Sequence, residues 1–222
     1  MVETVLDTLL ESPKLTLYYR KIGAVLDEEK RKRQKFYDTM TEQQKIEFIN
    51  GEVLMQSPTK FEHNIASNSL HTLLSAYVER HDLGYVGHEK MLISLTRNDY
   101  EPDVCFWRKE KSDDFGPKQM HFPAPDFIAE VLSPSTEDID REVKFQDYAA
   151  HGVQEYWIIN PDRKFVEQYS LHDDQYELLQ KTDSGILRSS VVQGFQIPAV
   201  ALFDQQEHFK VLREIVHETE SL

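Results

Sequence analysis

Hydrophobic and polar positions change period several times along the chain, and each change marks an element. Glu47-Phe48-Ile49-Asn50-Gly51-Glu52-Val53-Leu54-Met55 sets two short apolar runs around Asn-Gly, a strong signal for a type I′ hairpin. Ala66, Leu70, Leu73, Leu74 and Tyr77 recur at helical spacing between Phe61 and His81, and Gly84 suits the position after the end. Tyr85–Leu95 and Asp103–Trp107 read as the next two strands, joined by a polar turn at Thr96–Asn98. Lys109–Phe122 is charged and contains Gly116 and Pro117, which predicts a mobile loop. Phe127–Leu132 is apolar on both faces except at Glu130, as in a central strand covered on both sides.

Ser135-Thr136-Glu137-Asp138 opens a helix with a capping-box pattern, and Gly152 closes it. Val153–Asn160, Phe165–Leu171 and Tyr176–Gln180 supply further strands, and Glu207–Glu218 reads as a final amphipathic helix. Helices set among about seven strands predict an α/β (α+β) fold, a sheet with helices packed on it. At 222 residues the chain can bury one core. The expected organisation is a partly helical N-terminal arm over 1–40, a main domain over 41–205 and a C-terminal helix over 206–222.

Composition bounds the surroundings more than the chemistry. Cys105 is the only cysteine, which excludes an intrachain disulfide and fits a reducing cytoplasm. The start Met1-Val2-Glu3-Thr4 does not read as a signal peptide, and no run approaches the roughly 20 apolar residues of a membrane span. The expectation is a soluble, cytoplasmic protein. A net charge of −14 argues against a generic nucleic-acid coat. The first 60 residues are balanced, with ten basic and ten acidic side chains, so the deficit lies in residues 61–222. Lys30-Arg31-Lys32-Arg33-Gln34-Lys35 is the one dense basic run, readable as a solvated helix face paired with Asp27, Glu28 and Glu29 or as a phosphate-steering patch.

Glu130 is the first candidate for chemistry. A carboxylate buried in mid-strand costs several kcal/mol unless a cation or donors meet it. Two Pro-Asp acids could join it. Asp126 lies four residues back on the same strand, roughly 13 Å away and too far to share an ion. Asp103 can sit on a neighbouring strand, where cross-strand side chains come within about 5 Å. Asp103 also reads as a plain turn residue, and Asp126 fits that role better. Lys144, on the following helix, reads as a surface partner of Asp140 four residues earlier; Tyr148 lies one turn on. His63 and His71 stand about 12 Å apart along one helix and cannot share a metal. Cys105 and Tyr156-Trp157 read as core.

The order and spacing of these pieces resemble the Uma family of putative restriction endonucleases, within the PD-(D/E)XK nuclease superfamily. The likeness runs from the Asn-Gly hairpin through Pro102-Asp103, Pro125-Asp126, Glu130-Val131-Leu132-Ser133-Pro134 and Lys144 to Gly194-Phe195 and Leu202-Phe203. The resemblance implies a restriction-endonuclease-like fold, a mixed central sheet flanked by helices. It also implies metal-dependent hydrolysis of phosphodiester bonds of DNA, with Mg²⁺ as cofactor and Mn²⁺ as substitute. Asp103 and Glu130 match the metal-binding acids and Glu52 an additional hairpin acid. Lys144 matches a catalytic lysine moved to the helix, because Leu132 stands where the superfamily's lysine would. His63 matches a recurring position of unassigned role. Cutting both strands of a duplex would favour a homodimer. The competing expectation is a catalytically inactive scaffold of the same fold.

Overall fold

The computed structural model describes residues 2–41 and 44–217, the first three by backbone alone. Met1 and Glu218, the expected end of the last helix, lie outside the described residues. The chain divides into two units, Met1–Gln56 and Ser57–Leu222.

The first unit carries α1 (Val2–Leu10), α2 (Leu15–Thr39), β1 (Ile46–Ile49) and β2 (Glu52–Met55). The Asn-Gly hairpin forms as its sequence predicts: Phe48 pairs with Val53, Ile49 with Glu52. Asn50 and Gly51 take φ of 50° and 85°, the left-handed pair that a type I′ turn requires. Phe36 of α2 stacks on Phe48 of β1 with ring centroids 5.8 Å apart.

The second unit opens with α3 (Phe61–Arg80), β3 (Gly84–His88), β4 (Leu92–Ser94), β5 (Asp99–Tyr100) and β6 (Val104–Arg108). It continues through α4 (Lys109–Ser112), β7 (His121–Phe122), β8 (Phe127–Val131), a π-helical turn (Ile139–Val143) and α5 (Lys144–Ala150). It ends with β9 (Glu155–Asn160), β10 (Phe165–His172), β11 (Gln175–Thr182), β12 (Ile186–Arg188), β13 (Gln196–Pro198), a 3₁₀ turn (Ala199–Leu202) and α6 (Gln205–His217). Six strands form its main sheet in the order β11-β10-β9-β8-β6-β3. Only β8 and β9 run parallel; the other neighbours are antiparallel. The parallel pair requires a crossover, which the π turn and α5 supply.

The sheet is mixed and flanked by helices, in agreement with the expected class. Phe127, Ala129, Val131 and Trp157 join the core with Leu70, Leu73 and Leu74 of α3 and Val211 and Ile215 of α6. Alternation turns Ile128 and Glu130 the other way, toward α5. Apolar residues crowd both faces of β8, and all five of its residues are buried.

Two local expectations need correction. Tyr85–Leu95 is two strands, because Glu89 and Lys90 both adopt positive φ and turn the chain. β3 pairs with β6, whereas β4 pairs with β5 and β7. The expected loop over 109–122 holds a helical turn, α4, and β7, and its Phe115 ring packs on Trp107 and Phe122. No described helix is long and apolar enough to cross a membrane.

Candidate active site

β6 and β8 are antiparallel with Val104 opposite Ala129, so one residue further Asp103 stands across from Glu130. Main-chain donors fix both acids. Asp103 donates its backbone N–H to Glu130 Oε2 at 3.3 Å, and Val131 donates its own to Asp103 Oδ2 at 2.8 Å. His63 Nε2, from α3, lies 3.2 Å from the same Asp103 oxygen.

Lys144 reaches Glu130 from the crossover helix. Its Nζ lies 2.9 Å from Glu130 Oε1 and 3.1 Å from Asp140 Oδ1. Tyr148, one turn on, donates its hydroxyl to Glu130 Oε1 at 2.9 Å. The π turn explains how Asp140 and Lys144 share this spot. Lys144 N–H bonds to Ile139 O, five residues back. The Asp140 carbonyl that an α-helix would have used receives the Tyr156 hydroxyl from β9 at 3.0 Å. Arg141, in the same turn, is anchored by Glu137 and by Glu167 on β10, which Lys181 also holds at 2.8 Å.

Burial decides the character of this cluster. Asp103, Glu130, Asp140 and Lys144 are each no more than 4% exposed. The Lys144–Asp140 pair is therefore not the surface pair that helical spacing alone suggests. Desolvating each ion costs several kcal/mol, offset only where partners and hydrogen bonds are well placed. Neighbours register the negative field. Burial, then Glu130, pushes the Cys105 thiol well up. Burial, then Asp140 and Glu130, does the same to the Tyr156 phenol, against the opposing pull of Lys144.

Among the described residues no three His, Cys, Asp or Glu side chains form a ready-made metal cage. The donors nonetheless suit a hard divalent ion: two carboxylates on adjacent strands are oxygen ligands, and Mg²⁺ commonly takes one or two of these plus waters.

Residues 33–200 match the Uma2 family, described as "Putative restriction endonuclease". The chain belongs to the Uma2 family. Two uncharacterized proteins of Synechocystis are similar over 139 residues each. The first, slr1290, is 30% identical across 60% of this chain and 70% of its own. The second, sll1609, is 32% identical across 61% and 77%. In architecture the chain resembles the crystal structure of a putative nuclease of DUF820 from Anabaena variabilis. The TM-score is 0.65 over 81% of this chain and 97% of that one, at 16% identity, a likeness of fold.

Two further acids singled out in the sequence have partners of their own. Asp126 closes the far end of β8: it accepts the Arg108 N–H at 2.9 Å and pairs with Lys111 Nζ at 2.9 Å, the work of a structural anchor. Glu52 belongs to the first unit, where its exposed carboxylate meets Lys32 at 3.0 Å. Sequence reasoning missed the buried role of Asp140, the Tyr156 hydroxyl and the link from His63 to Asp103. The spacing of Asp140 from Lys144 was a signal read as surface chemistry. Nothing local ties His63 to a residue forty positions on.

Proposed function

We propose that this Uma2 chain is a divalent-cation-dependent endonuclease that hydrolyses phosphodiester bonds, with DNA as the polymer. The observation that carries the reading is Asp103 facing Glu130 across two strands while Lys144 reaches Glu130 from the crossover helix. Asp103 and Glu130 would hold Mg²⁺, or Mn²⁺ in its place. The ion, when bound, supplies positive charge against the charge gathering on the scissile phosphate. Val131 N–H and His63 fix the rotamer of Asp103, and Lys144 with Tyr148 fixes that of Glu130. Such fixed donors need no reorganisation during reaction. Lys144 would also face the phosphate, its charge balanced in the resting state by Glu130 and Asp140. The net charge of −14 opposes the approach of a polyanion, and bound cations would reduce that repulsion.

The degree of closure supports a second reading, an inactive scaffold that keeps the cluster as buried ion pairs. A panel of supercoiled duplex, single-stranded DNA and RNA, with Mg²⁺, Mn²⁺ or EDTA, tests the proposal. Cation-dependent cleavage of DNA supports the enzyme. Absence of cleavage together with no saturable Mn²⁺ binding supports the scaffold.

A further inference from the structure

Asp140 is the acid of the cluster that the nuclease reading leaves without a task during reaction. It is the second residue of the π turn Ile139–Val143, and Lys144 follows that turn directly. π geometry is rare and gathers at functional sites. The Asp140 backbone is held from both sides. Its N–H donates to Thr136 O at 2.9 Å, and its carbonyl accepts the Tyr156 hydroxyl at 3.0 Å. The next residue, Arg141, is tied to Glu137 and Glu167. Asp140 Oδ1 then lies 3.1 Å from Lys144 Nζ, and the Tyr100 ring centroid is 5.8 Å from the same ammonium. Each of these contacts is made within the second unit.

The two carboxylates beside Lys144 are not equivalent. Glu130 stands across from Asp103, in the pair read above as the cation ligands. A divalent ion at Glu130 repels the neighbouring ammonium, which rides on a flexible four-carbon stem. Asp140 lies outside that strand pair and shares its turn with Lys144. We propose that Asp140 is a positioning residue: it keeps the Lys144 ammonium at the site once the cation engages Glu130, and so holds it toward the scissile phosphate. A displaced ammonium forfeits stabilisation of the transition state without loosening the hold on the polymer. The inference rests on the nuclease reading and gives Asp140 a part in the cation-loaded state.

Steady-state nicking of plasmid and NMR of the ammonium, both on the full chain at saturating Mg²⁺, test the assignment. Asp140→Asn is expected to lower kcat about 100-fold while KM for DNA stays within about 3-fold. In ¹⁵N-lysine-labelled protein the Lys144 ammonium is identified by its absence from Lys144→Arg. The parent's signal is expected to persist when Mg²⁺ is added. In Asp140→Asn, Mg²⁺ is expected to speed its exchange with water about tenfold, the loss of one charged contact. Should that variant fail to fold, the parent decides alone, because a signal that vanishes with Mg²⁺ would show that Asp140 does not hold the ammonium. Equal kcat in the two chains, a change confined to KM, or exchange indifferent to Asp140 would each overturn the inference. A parent that nicks no DNA, with a Lys144 signal blind to Mg²⁺, would overturn the nuclease reading and this inference with it.

Discussion

The backbone N–H of Asp103 points at Glu130 Oε2 from 3.3 Å, one step beyond the last paired couple of β6 and β8. This contact ties the two acids together where the sheet's own ladder ends. Glu130 is thereby held by a neighbouring strand on one oxygen and by the crossover helix on the other. The cluster depends on sheet register and helix phase at once.

Lys144 is the cation of that arrangement, and its removal leaves Glu130 and Asp140 buried without it. Lys144→Met is expected to lower unfolding free energy by about 3–5 kcal/mol in urea titrations. Adding Glu130→Gln to that variant should return part of the loss. Losses that simply sum would mean that the two side chains are not coupled.

The Tyr156 hydroxyl has one structural task, to receive the π turn by donating to the Asp140 carbonyl. Tyr156→Phe leaves the ring packing in place and removes that donor, at an expected cost of about 1–3 kcal/mol. Hydrogen exchange at Lys144 and Phe145 should quicken more than across β9. Uniform quickening throughout the unit would show that the hydroxyl has no special hold on the turn.

Glu167 sets a pH dependence with a definite sign. Burial raises its carboxyl, but hydrogen bonds from Lys181 and Arg141 outweigh this and leave it below its ordinary 4.5. The unfolded chain therefore takes up this proton first as pH falls. The stabilisation is full above pH 4.5 and is lost as pH drops through the depressed folded value. Urea midpoints of Glu167→Gln should fall less steeply below pH 4.5 than those of the parent. Identical slopes would remove Glu167 from acid unfolding.

Much of the frame was legible in the sequence because its signals are local. Asn50-Gly51 dictates its turn, the leucines of α3 mark a face, and the apolar run around Glu130 announces a buried strand. The adjacency of Asp103 and Glu130 followed from putting each on a strand and asking which acid could reach. Burial of Lys144 and Asp140 was not legible, since an i, i+4 pair reads the same on a surface as under one. The break at Glu89-Lys90 was hidden too: neither residue is a glycine, and only pairing of β3 and β4 with different partners reveals it. The site's second layer, His63 and Tyr156, is made by contacts between segments far apart in the chain.

Nicking of supercoiled plasmid by the parent and by Asp103→Asn, both showing the same unfolding midpoint, tests the assignment of this acid pair most directly. The expected result is Mg²⁺- or Mn²⁺-dependent nicking by the parent, reduced at least 100-fold in the variant. Equal nicking rates from the two proteins would contradict it.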